Sequence, residues 1–256
     1  MKAFFAFFKK ELLESKRSGK LIFLCILFFA FGVMNPAIAK LTPWLLEIMA
    51  DELAGNGMTV TEVTVDALTS WTQFFKNIPM ALIAFVLMYD GIFTKEYESG
   101  TLVLMLTKGL ARYKIVLAKA LLLFSLWTLG YFLCFGVTCG YNAYFWDNSI
   151  AKNLMPAVLN YWLFGLWIIS LTVLFSVISK SSAGVLLGTG AAAIAAYLLS
   201  LLPKITPYSP ASLMNSAGLL AGAESAGDYK KAVIVTAVTC AVSLAVSIPL
   251  FSKKDI

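Results

Sequence analysis

The chain has 256 residues, of which 60% are hydrophobic and 13% are charged, and its mean hydropathy is +0.83. A soluble domain carries roughly 25% charged and about 45–50% apolar residues, so this composition is that of an integral membrane protein. The 20 Lys and Arg exceed the 14 Asp and Glu, which gives a formal net charge of +6. The sequence contains no histidine, which excludes histidine-dependent hydrolase triads and the commonest zinc and haem ligands.

Cysteine usage and the lack of a nucleotide motif narrow the function further. The cysteines lie in apolar runs without C-x-x-C spacing, so we interpret them as packing residues rather than as metal ligands or disulfide partners; they are Cys25, Cys134, Cys139 and Cys240. A G-x-x-x-x-G-K-[ST] phosphate loop is also missing from the sequence, so the chain does not hydrolyse ATP by that route. We therefore predict no catalytic residue, metal or cofactor in this chain.

The amino-terminal segment, residues 1–19, has the pattern of an amphipathic helix. Its apolar side chains form one helical stripe, with lysines and acids around the rest of the helix; the stripe consists of Phe4, Phe5, Phe8, Leu12 and Leu13. This pattern predicts an interfacial helix whose apolar side lies at the headgroup boundary while its lysines meet anionic lipid. The alternative is a basic tail that only sets the topology.

Six segments are long and apolar enough to cross a bilayer, which takes about 20 residues of helix. We therefore predict an all-α membrane fold with spans at approximately residues 20–39, 75–93, 115–141, 156–179, 183–202 and 232–251. The first span also looks like a signal peptide with a cleavage site at Ala37-Ile38-Ala39. Cleavage is disfavoured because the preceding region is long and contains Glu11 and Glu14.

The distribution of charge predicts the orientation. Fourteen of the 20 Lys and Arg fall on the side of the amino terminus, and the positive-inside rule places that side, with both termini, in the cytoplasm. The spans carry almost no ionisable residue, and Asp90 is treated as the exception. We expect Asp90 at the inner mouth of the second span, hydrated or paired with Lys95 or an inner-loop arginine, rather than in a proton relay.

The two larger outer loops are not simple polar connections. The first, residues 40–74, has apolar residues at helical spacing around Trp44 and Trp71. This spacing predicts two short amphipathic helices separated by the turn Gly55-Asn56-Gly57, which either cover an exit pathway or rest on the outer leaflet. The last, residues 203–231, contains three prolines and three glycines, which predict a short re-entrant turn beside the fifth span and a brief interfacial helix near residues 213–220.

The inner loop, residues 94–114, is the most informative segment. It has charges at its front, an apolar run at residues 102–106 that is too short to span a membrane, and a turn at Lys108-Gly109. An apolar element on the cytoplasmic side favours burial against another protein. Packing on its own bundle is the alternative.

This loop carries a series of motif positions in a fixed order, namely Glu96-x-x-x-Gly100-Thr101-Leu102, a leucine-rich stretch, Thr107, a turn and Arg112. In order and spacing the series resembles the inner loop in the membrane subunit of type-2 ATP-binding-cassette (ABC) exporters. The layout of the whole chain is similar to that family as well, from the basic amphipathic start through six spans to a charged end.

The resemblance implies a permease subunit that pairs with a second copy of itself or a similar permease. It also implies two copies of a separate ABC ATPase, which bind ATP and Mg²⁺. Glu96 would make a polar contact with the ATPase, and Gly100 would supply a backbone geometry that a bulkier residue would distort. The full set of coupling residues that the resemblance implies is Glu96, Gly100, Thr101, Leu102, Leu104, Leu106 and Arg112. Membrane lipid is a further expected partner, and nucleic acid is not.

The cargo and the alternatives follow from the same composition. Aromatic, uncharged spans favour an amphipathic peptide, an antibiotic or a lipid-like molecule over a small ion. An autonomous secondary carrier would need coupling-ion sites and usually shows repeated halves. A non-transporting scaffold or immunity protein is the other alternative, whereas an intramembrane enzyme is disfavoured without histidine or paired carboxylates in the spans. The compact layout with a separate ATPase suits a bacterial cytoplasmic membrane.

Overall fold

The computed structural model describes residues 2–48, 65–107, 109–215 and 217–254, and this part of the chain is helical without any strand. The bounds of its α-helices are α1 Lys2–Arg17, α2 Lys20–Ile48, α3 Ala67–Tyr89, α4 Thr94–Glu98, α5 Thr101–Thr107, α6 Arg112–Phe145, α7 Leu154–Ile178, α8 Ser182–Ser200, α9 Ala217–Ala221 and α10 Lys230–Lys253. Short 3₁₀ turns occupy Asn148–Ile150, Thr206–Tyr208 and Pro210–Met214.

Six of these helices are long and apolar enough to cross a membrane, which confirms the predicted number and order of spans. They are α2, α3, α6, α7, α8 and α10. Helix α6 packs against α1, α2, α3, α7 and α10, while α7 packs against α8 and α10. The end of the bundle where α1 lies, which the charge distribution predicts to face the cytoplasm, is called the inner end below.

The first two spans are longer than their apolar cores predicted. Helix α2 continues through Pro36 and Pro43 to Ile48, because a helix inside a membrane tolerates proline when neighbouring groups satisfy the freed backbone. Helix α3 already begins at Ala67, where the side chain of Asp66 accepts a hydrogen bond from the amide of Thr69 at 2.9 Å.

This extension changes the prediction for the first outer loop. The segment that begins at Trp44 is the last turn of α2 as far as Ile48, and the segment around Trp71 is the start of α3. Neither is a separate amphipathic helix, because α2 continues unbroken through Pro43 and α3 continues unbroken through Pro79. The expected turn at residues 55–57 lies outside the described residues.

Aromatic side chains fill the centre of the bundle. Trp127 of α6 is fully buried, with its ring centroid 5.8 Å from those of Phe28 in α2 and Phe85 in α3. A Cβ atom at Gly165 of α7 would collide with the Trp127 indole, so this glycine allows α7 to approach α6 closely. Edge-to-face aromatic pairs add to the contact energy of such a core.

A small polar cluster joins the first three spans. Asn35 of α2 donates to Thr138 of α6 at 3.0 Å and accepts from Asn77 of α3 at 2.9 Å. Thr138 in turn donates to the carbonyl of Gly32 at 3.0 Å. These uncharged groups satisfy one another, so the cluster ties helices together in lipid as interhelical hydrogen bonds do.

The last outer loop turns back into the bundle, as its prolines predicted. Leu213, Leu219 and Leu220 are buried, and the hydroxyl of Ser209 donates to the carbonyl of Ala196 in α8 at 2.9 Å. The loop packs against α7, α8 and α10. Residues 213–220 do not form one helix, since the 3₁₀ turn Pro210–Met214 precedes the separate helix α9.

Helix α1 lies along the inner end and packs on α6 and α2. Of the predicted apolar stripe, Phe5, Leu12 and Leu13 are exposed on the helix surface, where an interfacial helix meets lipid. The face turned toward the bundle carries Phe7 and the acidic residue Glu11. A charged residue on the buried face was not anticipated from the sequence.

Candidate functional site

The inner loop between α3 and α6 folds into two short helices joined at Gly100. Helix α4 ends at Glu98 and α5 begins at Thr101, and Gly100 between them has a φ of +67°. This left-handed backbone conformation favours glycine, because a Cβ atom would be strained there. The loop therefore holds a sharp change of direction at the motif position that the resemblance singles out.

Apolar contacts fix this loop to its own bundle. Leu102 is fully buried, and Met105 and Leu106 are partly buried against the core. The Phe93 ring centroid, just before α4, lies 5.5 Å from that of Phe251 near the end of α10. The apolar side of the loop thus packs on the bundle, which was the alternative to a partner surface; the side chain of Leu104 lies outside the described part.

A buried charge cluster connects the loop to two other helices. The ammonium Nζ of Lys119 in α6 lies 2.9 Å from Oε2 of Glu11 in α1 and 3.0 Å from Oε2 of Glu96 in α4. The Lys119 side chain is 1% exposed. Only the contact with Glu11 is aligned as a hydrogen bond, so Lys119 and Glu96 form an ion pair.

A second cation, Lys10, closes the cluster from the surface. Its Nζ lies 2.9 Å from Glu11, 2.7 Å from Glu14 and 3.3 Å from Glu96. Burial alone would lower the pKa of Lys10, but hydrogen bonds to Glu14 and Glu11 and the nearby negative charges raise it well above its ordinary value. Burial alone would raise the pKa of Glu11, but the charge of Lys119 and hydrogen bonds from both lysines lower it.

The cluster links α1, α4 and α6 at one point. Carboxylate oxygens of Glu11, Glu14 and Glu96 lie within 4.8 Å of one another, a spacing that a metal ion would also need. Each of these carboxylates already pairs with the ammonium group of Lys10 or Lys119, so the arrangement is that of an ion-pair cluster. Moving α4 at this point requires α1 and α6 to move with it or the cluster to open.

The other predicted site residues lie around this cluster. Arg112 donates from Nη1 to the carbonyls of Phe251, Ser252 and Lys254, at 3.0, 3.0 and 2.7 Å, and so binds the end of α10. The hydroxyl of Thr101 lies 3.0 Å from that of Ser99 at the surface. Asp90 follows the last residue of α3 and is half-buried, and it forms no ion pair with any residue that the structure describes.

A separate feature is an apolar cavity of about 460 Å³ within the membrane-spanning part. Its walls come from α3, α7, α8 and the last outer loop. Tyr161 of α7 and Thr189 of α8 line it and are 1% and 4% exposed. Neither hydroxyl has a hydrogen-bond partner among the described residues, so each offers an unused donor and acceptor beside an apolar space.

Sequence reasoning selected Glu96 and Gly100 but missed Lys119, Glu11 and the cavity residues. A signal for Lys119 existed, because it falls inside the predicted span at residues 115–141 and a lone cation in a span indicates a functional site. The prediction that Asp90 is the exceptional charge was therefore wrong. Thr189 carries no comparable signal, since a threonine hydroxyl in a helix usually bonds to the backbone of that helix. Tyr161 carries none either, since a tyrosine in an apolar run is usually a packing residue.

Comparison with known proteins agrees with this architecture. Residues 5–256 match the model of the protein family described as ABC-2 family transporter protein. The chain is 25% identical over 228 residues to the uncharacterized transmembrane protein YxlG of Bacillus subtilis, which covers 85% of this chain and 84% of YxlG. It is 31% identical over 166 residues to the probable ABC transporter permease protein NosY of Stutzerimonas stutzeri, covering 65% of this chain and 52% of NosY.

A third relative is the NosY protein of Pseudomonas aeruginosa, which is 35% identical over 113 residues, or 44% of this chain and 36% of that protein. No solved structure matches the chain significantly. A match over nearly the whole length, together with six apolar helices, defines a multi-pass membrane subunit of a transporter. The chain belongs to the ABC-2 transporter family.

Proposed function

We propose that this chain is the permease subunit of an ATP-driven exporter and that the inner loop, α4 and α5, transmits force from a separate ABC ATPase. Two ATPase copies would bind ATP and Mg²⁺, and a second permease chain would complete the pathway. The observation that carries the proposal is the attachment of α4 to α1 and α6 through Glu96, Lys119 and Glu11. The names of the two NosY relatives support a permease role.

The mechanism follows from this attachment. The loop is anchored to the bundle by its apolar side and by Glu96, while Ser99 stays exposed beside the Gly100 turn. An ATPase that contacts this exposed rim would displace α4, and the buried cluster would pass the displacement to α1 and α6. Binding energy that differs between the inward and outward arrangements of the bundle would then shift their populations.

Lysines of this chain already pair with Glu96, which was predicted to make a polar contact with the ATPase. The carboxylate of Glu96 is within ion-pair distance of both Lys119 and Lys10, and its side chain is 11% exposed. We propose that Glu96 acts in coupling by anchoring α4 to the bundle. The surface that the ATPase touches would then be the rim around Gly100 and Thr101.

The apolar cavity supports the proposed cargo class. Its volume of about 460 Å³ is in the range of ligand pockets, and its lining is apolar apart from a few polar groups. The unpartnered hydroxyls of Tyr161 and Thr189 would recognise a hydrogen-bonding group on an otherwise apolar molecule. We therefore propose an amphipathic or lipid-like cargo with an uncharged polar group.

The partner proposal is tested by purification in mild detergent after gentle crosslinking in the native host, followed by mass spectrometry. We expect an ABC ATPase to accompany the chain and to be lost when Thr101→Arg places a bulky cation on the rim. Gly136→Ala is the matched control, because Gly136 lies in α6 with no atom near its added Cβ. Recovery of the permease chain alone, or unchanged ATPase recovery with Thr101→Arg, would contradict the proposal.

The cargo proposal is tested by direct binding of fluorescent amphiphiles with and without a hydroxyl or carbonyl group. Tyr161→Phe and Thr189→Val each remove one hydroxyl, and we expect a loss of about 2- to 10-fold in affinity for the polar amphiphile only. Tyr131→Phe and Thr172→Val are the matched controls, because those hydroxyls already donate to Val158 and Ile168. Equal effects of the two cavity variants and the two control variants would contradict the cargo assignment.

A further inference from the structure

A second cavity, of about 250 Å³, opens at the inner end between α1, the end of α3 and the start of α4. It is distinct from the membrane cavity, and it is lined by charged and hydroxyl side chains. Glu11, Glu96 and Lys119 of the buried cluster form part of its wall. The coupling role proposed above uses these three side chains but not the open space beside them.

Two lysines that line this cavity lie outside the ion-pair cluster. Lys20, at the start of α2, and Lys95, in α4, form no ion pair with any residue in the described ranges. The Nζ of Lys20 lies 5.3 Å from the centroid of the Tyr89 ring. Its charge is repelled by that of Lys95 and attracted by those of Asp90 and Glu14, none of which forms an ion pair with it. Two ammonium groups that converge on one space favour an anion there.

The remaining charges of the cavity restrict which anion fits. The lining contains the three lysines Lys20, Lys95 and Lys119, and three carboxylates from Glu11, Glu14 and Glu96. A simple anion would meet the lysines but would also be repelled by the carboxylates. A zwitterion, with an anionic and a cationic group a few bonds apart, matches both sets of charges.

The Glu14 carboxylate is the accessible acid of this set. Its side chain is 60% exposed, although one oxygen lies 2.7 Å from Lys10. Ser15 and Ser18, on the same helix, also line the cavity. These groups offer hydrogen-bond acceptors for an ammonium group that carries N–H donors, which a quaternary ammonium lacks.

The position of the cavity identifies the source of the zwitterion. The cavity lies where α2 begins at Lys20 and where α3 ends at Tyr89, which is the headgroup level of one leaflet for two spanning helices. Exposed Phe5 and Leu12 of α1 are apolar surface at the same end of the bundle. A molecule that reaches the cavity along this surface is a membrane lipid.

We propose that this cavity binds the headgroup of a phospholipid with a primary ammonium group, of the phosphatidylethanolamine type. Lys20 and Lys95 bind its phosphate, and Glu14 accepts hydrogen bonds from its ammonium. The bound lipid stabilises the contact of α1 with α3 and α4 beside the charge cluster. Neither the cargo nor the ATPase is needed for this lipid to bind.

The test uses the full chain purified in detergent, stripped of lipid, and titrated with phosphatidylethanolamine, phosphatidylcholine or phosphatidylglycerol while bound lipid is counted by native mass spectrometry. We expect phosphatidylethanolamine to bind at least fivefold more tightly than the other two. The double variant Lys20→Gln/Lys95→Gln should lose this preference, and Glu14→Gln should weaken phosphatidylethanolamine binding while leaving phosphatidylglycerol binding unchanged.

The matched control is Lys9→Gln/Lys16→Gln, which removes the same charge from exposed positions of α1 that do not line the cavity. Equal retention of the three lipids, or equal loss in both double variants, would overturn the proposal. A preference for phosphatidylglycerol would overturn the zwitterion assignment. If water-soluble phosphoethanolamine displaced the bound lipid at an equal concentration, the ligand would not have to be a membrane lipid, and that part of the proposal would be overturned. None of these results depends on an ATPase or on cargo.

Discussion

The ammonium of Lys119 lies 2.9 Å from the carboxylate of Glu11, and the two side chains are 1% and 6% exposed. This pair joins residues 108 positions apart in the chain, and so fastens the amino-terminal helix to the third span. Burying two charges costs solvation energy, which their attraction offsets only if both partners stay in place. The stability of the inner end should therefore depend strongly on each partner alone.

Removing the shared cation should be strongly destabilising. Lys119→Met removes the ammonium group that pairs with both Glu11 and Glu96. We expect a loss of about 3–5 kcal/mol in the free energy of unfolding. Unfolding in detergent, followed by tryptophan fluorescence, measures this loss. Adding Glu11→Gln to Lys119→Met should restore part of it, whereas Lys114→Met on the same helix should have little effect. Additive losses in the double variant would contradict the coupling of the two residues.

The same cluster predicts how stability depends on pH. The pKa of Glu11 lies below its ordinary value of 4.5 because Lys119 and Lys10 outweigh the effect of burial. A carboxylate with a lowered pKa stabilises the fold above its ordinary pKa and loses that contribution as pH falls through the folded value. We expect constant stability from pH 7 down to about 5 and a decline below about 4. Glu11→Gln should be less stable at pH 7 and show a smaller decline.

The Gly100 turn is predicted to matter for coupling more than for folding. Gly100→Ala places a Cβ on a residue with a φ of +67° but meets no atom within 4 Å, so only backbone strain of about 1–2 kcal/mol is added. We expect a folded protein with reduced transport-coupled ATP hydrolysis in vesicles that contain both subunits. Gly136→Ala, without positive φ or close neighbours, should leave the coupling unchanged. Equal coupling in the two variants would refute a role for the turn.

Filling the membrane cavity should block transport without unfolding the protein. Gly190 lines the cavity, and a Cβ added there meets no atom within 4 Å, so Gly190→Leu places its side chain in empty space. We expect cargo binding and export to fall at least tenfold while recovery of the ATPase is unchanged. Gly140→Leu in α6, also free of near neighbours and outside the cavity, is the control. Normal export by Gly190→Leu would show that the cargo passes elsewhere.

The sequence predicted correctly those features that depend on the residues of one segment alone. Hydropathy along the chain predicted six spans because the length and polarity of one helix decide whether it suits a bilayer. Proline content predicted the folded-back last loop, and the motif order selected Gly100, whose φ is positive. The first outer loop was divided wrongly, since α2 and α3 extend through residues that resemble interfacial helices.

What only the tertiary structure decided is which side chains meet. The sequence did not single out Lys119 and predicted Glu96 as a contact for a partner, whereas packing places both in one buried cluster with Glu11. The unpartnered hydroxyls of Tyr161 and Thr189 likewise became visible only once α7 and α8 enclosed a cavity. Hydropathy and motif spacing are properties of one segment, and they determine that this chain is a six-span ABC-2 permease. Ion pairs and cavities arise between segments distant in sequence, so they depend on how the helices pack.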